Sequence, residues 1–596
     1  MGAVALYSGL GLWHHILPID FIAILATLVG GYPIYKEAFQ SLRHKQINME
    51  VSMAVAIIAS LAVGQFTAAV VIAFFVILAE FLESYAVETG RETITKLELS
   101  APKKALVIRG GREIEIDAQS LAVGDHVVIR GGERAPADGI VVQGSAVVNQ
   151  ASITGETIPV DKNVGSYVYA GTVNDSGTLE ILAEKIGGET VYGKIIKLVE
   201  EAESRKAPIQ KIADRLSAWL VEFAIAFSII TYLATRNIIS AISVVVVAGA
   251  CGVAAGTPLA IVATIGSAAK KGVIVKGGRY IEQMDRIDTV VIDKTGTLTF
   301  GEPVVTDVEP FGDCSERELL QYAAQAEKHS NHPIATAIVR RAAEMGISAE
   351  AYSTFSYVPG KGVAVRSDGR EIVVGNQIMM KEEGVRLTDD ITAKVTRRAS
   401  EGKTTVLVAH DKRVRGFITI RDRIREGSRE AIEELKRLGI RTIMLTGDNK
   451  PAAEAVAMQI GTEVYAELLP QDKVELIKDL MATGHRVAMV GDGINDAPAL
   501  AYADVGIGMG GGTDVAAEEA DIVLMTNDLS KISETVRMSK RTYRTIMENF
   551  YGTVIIDGIG VALAFLGYLN PLLAAVVHVA SELVFISNSA RLIWSS

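Results

Sequence analysis

The chain has 596 residues, 49% of them hydrophobic, with 70 acidic against 59 basic side chains and a formal net charge of −11. A mean hydropathy of +0.28 is high for a purely soluble chain and points to a membrane portion beside several solvated domains. The acidic balance argues against a nucleic-acid partner, and the two cysteines, Cys251 and Cys314, exclude a disulfide framework and any Cys-x-x-Cys metal module.

In chain order, the apolar runs split at polar or Gly/Pro breaks into eight helical spans: 2–16, 20–40, 46–63, 66–90, 216–235, 238–262, 549–568 and 571–589. No charged residue occurs from Val51 to Ala79 or from Asn237 to Ala269. The first run lacks a charged leader and a small-residue cleavage site, so it reads as retained. Gly30-Gly31 and Pro33 predict a bend in the second span, whose later half, with Lys36 and Arg43, fits either an amphipathic ledge or snorkelling anchors. Lys36, Arg43 and Lys45 crowd the link to the third span and place it in the cytoplasm. Both polar blocks, 95–212 and 270–545, and both termini then fall on that side.

Between Lys103 and Lys185, short alternating stretches bounded by Gly110-Gly111, Gly131-Gly132 and Asp175-Ser176-Gly177 predict a β-rich domain. Inside it, Thr154-Gly155-Glu156 forms a turn that presents Glu156 on an exposed loop. The second block alternates strand-like 289–292, 441–445 and 486–490 with helix-like stretches near 450–459 and 472–483, the order of a parallel, doubly wound sheet. Each of these strands runs into an acid-bearing turn: Asp293, then Thr446-Gly447-Asp448, then Gly491-Asp492-Gly493-Ile494-Asn495-Asp496. The carboxyl edge of such a sheet is where ligands bind, and Asp293, opening Asp293-Lys294-Thr295-Gly296-Thr297, is placed to attack a phosphoryl group and carry it covalently. Several carboxylates at one edge call for a hard cation, so Asp492 and Asp496 are read as Mg²⁺ ligands. Lys473 is the cation expected to neutralise phosphoryl oxygens. No P-loop motif is present. Between Phe300 and Ile420 the patterns restart, which predicts a domain inserted into the doubly wound one.

Taken together, Thr154-Gly155-Glu156, Asp293-Lys294-Thr295-Gly296-Thr297, Thr446-Gly447-Asp448 and Gly491-Asp492-Gly493-Ile494-Asn495-Asp496 make the chain closely resemble a P-type ATPase along nearly its whole length. Four spans before the β-rich domain, with His332-Pro333 in the insert, resemble the heavy-metal-transporting branch. The resemblance implies a multi-domain, multi-pass protein of the cell membrane, working as a monomer in the bilayer with its catalytic domains in the cytoplasm. Its parts would be an eight-helix transmembrane bundle, a β-rich actuator domain and an α/β doubly wound (HAD-like) phosphorylation domain with an inserted α+β nucleotide-binding domain. The implied division is 1–95 for the first four spans, 96–212 for the actuator and 213–269 for spans five and six. The phosphorylation domain takes 270–301 and 421–545, the nucleotide-binding domain 302–420, and the last two spans 546–596.

By the same resemblance Asp293 is phosphorylated by ATP, with Lys294 and Thr295 beside it, and Thr154, Gly155 and Glu156 position the water that hydrolyses the aspartyl-phosphate. Glu327, His332, Gly360 and Gly362 line the adenine pocket. Thr446, Gly447, Asp448, Lys473 and Asn495 surround the phosphoryl group, and Asp293, Thr295, Asp492 and Asp496 hold Mg²⁺.

Polar groups at bilayer depth usually mark an ion path. Cys251, Asp557 and Glu582 lie about 13, 12 and 11 residues in from the outer turns, roughly 17 to 20 Å deep at 1.5 Å per residue, and His578 sits one turn from Glu582 on its face. Packing roles explain Cys251 and His578 about as well as ligation does, whereas the two acids need a compensating partner. Pro258 and Gly249, Gly252 and Gly256 loosen the sixth span near Cys251. Glu80 resembles the family's release-path glutamate.

The family's common Cys-Pro-Cys or Ser-Pro-Cys is replaced here by Gly249-Ala250-Cys251. A mixed sulfur, imidazole and carboxylate set suits a borderline or harder divalent ion, Zn²⁺, Co²⁺, Ni²⁺, Fe²⁺ or Mn²⁺, better than two-coordinate Cu⁺. The expected function is ATP-driven export of such an ion. A Cu⁺ pump with an atypical site, a membrane-anchored phosphatase of the same phosphorylation fold and a non-pumping metal sensor are the rivals. Thr154-Gly155-Glu156 and the intramembrane acids speak against the phosphatase, and the full set of catalytic acids against the sensor.

Overall fold

A computed structural model describes residues 21–593 apart from 45–48, 100–101, 151–158, 195, 198–206, 249–250, 331–332, 349–353, 359, 368–369, 449, 493–495 and 511–518. The chain divides into two compact units, Met1–Asp285 with Thr535–Ser596, and Arg286–Glu534.

In the first unit, four helices are long and apolar enough to cross a membrane: Pro208–Thr235, Ile238–Lys270, Ser530–Phe565 and Pro571–Ala590. Phe21–Gly30, Glu50–Ala62 and Phe66–Leu82 are shorter apolar helices. Four of the eight expected spans therefore reach crossing length among the described residues, and the first, 2–16, lies outside them. The second span is interrupted for a local reason. A Cβ at Gly31 would meet the carbonyl oxygen of Thr27 at 2.6 Å, and a separate helix, Tyr32–Arg43, starts immediately afterwards with Pro33 in its first turn. The sixth span is interrupted too. Its first helix ends at Val247, Ala248 leaves helical geometry at φ −89° and ψ 54°, and helix resumes at Cys251 with Pro258 inside it. Buried Ile57, Ile72, Val244, Val247 and Ala574 join these helices in one apolar core.

The same unit holds an antiparallel sheet of seven strands. Its spine is the pairing of Ala137–Asn149 with Val173–Ile186. On one side follow His126–Arg130, Lys104–Arg109 and Arg112–Asp117, and Val160–Lys162 and Tyr167–Val168 lie against the other. Alternate residues such as Val127, Ile129, Leu179 and Ile181 face a common core, as the two-residue period requires.

The second unit contains two sheets. The parallel one runs Glu463–Tyr465, Arg441–Leu445, Thr289–Asp293, Val487–Gly491, Val505–Met509, Ile522–Leu524. Numbered by chain position this is the order 3-2-1-4-5-6, whose connections reverse between Thr289–Asp293 and Val487–Gly491, and ligands of doubly wound sheets bind at that reversal. The other sheet is antiparallel, with Thr299–Pro310, Arg413–Ile424, Thr404–His410, Arg370–Gly375, Gly362–Ser367 and Thr354–Val358 in spatial order, and helices Glu316–Glu327 and Pro333–Glu344 packed on it. Its two strands nearest the parallel sheet in sequence, Thr299–Pro310 and Arg413–Ile424, are paired from Thr299 with Ile424 onwards. The boundaries expected at 301/302 and 420/421 fall inside this paired ribbon.

Candidate functional site

Asp293 is the last residue of a fully buried strand and lies in register with Leu445 on the neighbouring one. The residue is 5% exposed. The chain then turns sharply: Gly296 has φ +74°, a conformation open to glycine at little cost, and a Cβ there would meet Asp492 Oδ2 at 2.7 Å. Gly491 likewise allows the close approach of Asp496, whose Oδ2 a Cβ would meet at 2.8 Å. Two glycines thus bring two carboxylates up to the end of the strand that carries Asp293.

Lys473, near the start of helix Pro470–Ala482, reaches between them. Its Nζ donates to Asp293 Oδ1 at 2.6 Å and to Asp496 Oδ1 at 2.7 Å, and all three side chains are withdrawn from solvent. Burial, then the neighbouring Asp496 carboxylate, push the Asp293 carboxyl up to about 7, with Lys473 opposing and Asp492 adding. Lys473 itself is held above its ordinary value because the pull of Asp293 and Asp496 outweighs its desolvation. Lys294 pairs with Asp448 of the next strand's turn, where the Asp448 amide donates to Thr446 Oγ1 at 3.1 Å and Gly447 makes the bend. Thr295 is exposed at the rim. Among sequence-predicted groups the structure therefore gathers Asp293, Lys294, Thr446, Asp448, Lys473, Asp492 and Asp496 at one sheet edge.

One participant had no sequence assignment. Arg425 donates from Nε to the Thr297 carbonyl at 3.1 Å and from its other guanidinium nitrogen to the Gly296 carbonyl at 3.0 Å. Its guanidinium and that of Arg423 both lie over the Phe300 ring, at 4.8 and 4.7 Å. The alternation Arg421, Arg423, Arg425 in a strand leading back to the doubly wound sheet was the available signal.

A cavity of about 620 Å³ runs from Glu327, Gly360 and Gly362 to Gly447 and Asp448. Gly362, at φ +151°, lies where a Cβ would meet the Val374 carbonyl at 2.2 Å, so the strand pair can close tightly beneath the pocket. Glu327 ends helix Glu316–Glu327. Burial pushes its carboxyl up to about 7, against a hydrogen bond with Ser330, and its Oε2 is enclosed without a hydrogen-bond partner. His332, Asn495 and the Thr154-Gly155-Glu156 loop lie outside the described residues.

In the helical portion, Asp557, His578 and Glu582 are 6%, 4% and 2% exposed, and Glu80 is half-buried. The Cys251 side chain is outside the described set. Among the described residues no three His, Cys, Asp or Glu side chains converge as a metal cluster. A buried polar ladder does join three helices below this level: Ser589 Oγ donates to the Gly256 carbonyl at 2.8 Å, and Asn549 donates to Ser589 Oγ and accepts from Asn588, both at 2.8 Å.

Comparison with known proteins accounts for this layout. The haloacid dehalogenase-like hydrolase family matches residues 287–504, and the P-type ATPase actuator domain matches 99–200. A copper-exporting P-type ATPase of Bacillus subtilis (strain 168) is 38% identical over 94% of this chain and 73% of its own length. A probable cadmium-transporting ATPase of Staphylococcus aureus (strain MRSA252) is 38% identical over 97% of this chain and 82% of its own. The crystal structure of a zinc-transporting PIB-type ATPase in the E2.Pi state superposes with a TM-score of 0.60 at 32% identity, covering 99% of this chain and 98% of that one. The chain belongs to the P-type ATPases, in the heavy-metal branch that couples ATP hydrolysis to metal transport.

Proposed function

We propose that this protein exports a divalent transition-metal ion across the cell membrane, through eight transmembrane helices, with its catalytic domains in the cytoplasm. An Asp293 carboxylate oxygen attacks the γ-phosphorus of ATP, the bond from that phosphorus to the bridging oxygen breaks, and ADP leaves with the electron pair. Water positioned by Glu156 then attacks the aspartyl-phosphate, releasing inorganic phosphate and restoring the carboxylate. Lys473 balances the phosphoryl oxygens, and Lys294, Thr446, Asp448 and Asn495 orient them.

Asp293, Thr295, Asp492 and Asp496 would supply an oxygen-only donor set of the kind Mg²⁺ prefers. When bound, Mg²⁺ would supply positive charge to the γ-phosphate oxygens. Glu327, His332, Gly360 and Gly362 hold the adenine end. With its carboxyl held near 7, Glu327 is protonated in a large fraction of molecules at neutral pH and can donate to a ring nitrogen, which a carboxylate cannot do. Cys251, Asp557, His578 and Glu582 receive the cargo and Glu80 lies on its way out.

The observation that carries this reading is the Asp293–Lys473–Asp496 array at the switch point of the sheet, with a cavity extending from Asp448 to Glu327. The test is ATPase activity of the purified protein across Mn²⁺, Co²⁺, Ni²⁺, Zn²⁺, Cd²⁺ and Cu⁺, with Asp293→Ala as control. Divalent stimulation that vanishes in Asp293→Ala supports the proposal. Stimulation by Cu⁺ alone overturns the cargo assignment, and turnover persisting in Asp293→Ala overturns the mechanism.

A further inference from the structure

The buried threonines of the helical portion follow a pattern. Thr27, Thr231, Thr257, Thr264, Thr542 and Thr545 each return the side-chain hydroxyl to the carbonyl four residues earlier, the usual way for a helical threonine to satisfy itself in apolar surroundings. Thr553 departs from it. It is 3% exposed, yet its Oγ1 has no hydrogen-bond partner among the described residues. The hydroxyl faces Gly252, where a Cβ would come within 3.0 Å of Oγ1, and Phe585 closes the same spot, 2.3 Å from that Cβ position.

Asp557 is one turn further along the same helix and on the same face. Its Oδ2 is likewise buried with no partner. Two enclosed, unsatisfied oxygens thus stand four residues apart on one helix face, the first of them beside Gly252, the residue after Cys251. A buried polar group is ordinarily hydrogen-bonded, and two that are not, one of them a carboxylate without an ion-pair partner among the described residues, are suited to accept a ligand that arrives.

We infer that Thr553 is a specificity-determining residue of the cargo site, its Oγ1 and Asp557 Oδ2 forming an oxygen pair that favours harder divalent cations such as Mn²⁺ and Co²⁺ over Cd²⁺. The inference rests on the transport reading above. Neutral hydroxyl and carboxylate oxygens suit ions of low polarisability, whereas a soft ion draws its affinity from sulfur and is little affected by one hydroxyl.

The test uses the full-length protein with Thr553→Val, which keeps the branched shape and removes the oxygen, Thr553→Ala, which removes it without the bulk, and Thr553→Ser, which keeps it. ATPase stimulation is titrated with Mn²⁺, Co²⁺, Zn²⁺ and Cd²⁺, and phosphorylation by inorganic phosphate in metal-free buffer reports an intact catalytic unit. In Val and Ala the half-activating Mn²⁺ and Co²⁺ concentrations should rise by about tenfold or more and that of Cd²⁺ by less than about threefold, with Ser close to wild type. An unchanged metal order in both Val and Ala, or equal weakening for all four metals, overturns the assignment while leaving transport intact. Should Val fail to take phosphate, the Ala and Ser pair decides by the same criteria. Absence of stimulation by any metal in the wild type removes the transport reading itself, and this inference with it.

Discussion

Asp293 and Asp557 are both carboxylates withdrawn from water, and the protein treats them in opposite ways. Asp293 has an ammonium group at 2.6 Å, two further carboxylates brought close by glycines, and a neighbouring loop tied down by Arg425. Asp557 has an oxygen with no hydrogen-bond partner among the described residues. An ionised group in a dry interior is costly unless paired. On the proposed reading, the sheet edge at Asp293 is therefore assembled before its substrate arrives, while the site at Asp557 stays incomplete until an ion fills it. Preorganised charge suits an electrostatic reaction; an open valence suits reversible capture of cargo.

The largest effect expected on this contrast comes from Lys473. Removing it as Lys473→Ala leaves Asp293 and Asp496 buried together without their shared cation, and the rate of acid-stable label incorporation from γ-labelled ATP should fall by about 10²–10³-fold, the range for loss of one preorganised electrostatic group. A fall of less than about threefold would mean that the array is not the reacting centre.

Asp557→Asn should do the reverse to stability. With no cation to lose, neutralising it is expected to stabilise the metal-free protein by about 1–3 kcal/mol. Metal affinity should weaken by about 100-fold, and phosphorylation by inorganic phosphate should persist. Calorimetric melting in chelator and a metal titration read the two arms. A lower melting temperature together with unaltered metal response would show that Asp557 is already satisfied in the apo state.

Much of the catalytic edge was legible because each of its carboxylates is local to a strand end: Asp293, Asp448 and Asp492 close apolar runs, and Gly296 and Gly491 sit within a few residues of them. Arg425 was not, since the carbonyls it reaches lie 128 and 129 residues earlier in the chain, and only the antiparallel pairing of Thr299 with Ile424 makes them adjacent. The same pairing places 301/302 and 420/421 within one antiparallel ribbon and not in loops. In the helical portion, Gly30-Gly31 and Pro33 announced the break at Gly31. Counting residues offered only an expected depth for Cys251, Asp557 and Glu582; which faces turn toward one another is set by helix packing, and depth alone could not single out Thr553, whose missing backbone bond becomes visible only beside its satisfied counterparts.

The cavity lined by Glu327 offers a pH test of burial without pairing. Glu327, ordinarily near 4.3 in an unfolded chain, is held up at about 7 by burial. Its folded value being raised, the associated stability is fully present below the unfolded value and is lost as pH rises through about 7. At roughly 1.4 kcal/mol per unit, discounted for residual hydration, that loss is about 2–3 kcal/mol. Melting of the Arg286–Glu534 unit, followed within the whole protein, should fall between pH 5 and pH 8, and Glu327→Gln should flatten that fall. Equal pH slopes in the two proteins would show that Glu327 keeps an ordinary affinity for its proton.

The smallest effect expected is at Arg425, where the comparison can be sharpened inside the catalytic unit. Two directed donors hold the Gly296 and Thr297 carbonyls, while Phe300 supports the guanidinium from its face. A lysine keeps the charge but offers a compact ammonium in place of the planar fork. Arg425→Lys should therefore slow phosphorylation by about tenfold, or about 1.4 kcal/mol in the barrier, through a loosened Gly296 turn, with little change in ATP affinity because Arg425 is not among the residues lining the cavity. A rise in KM for ATP with kcat unchanged would move Arg425 from positioning the loop to binding the nucleotide.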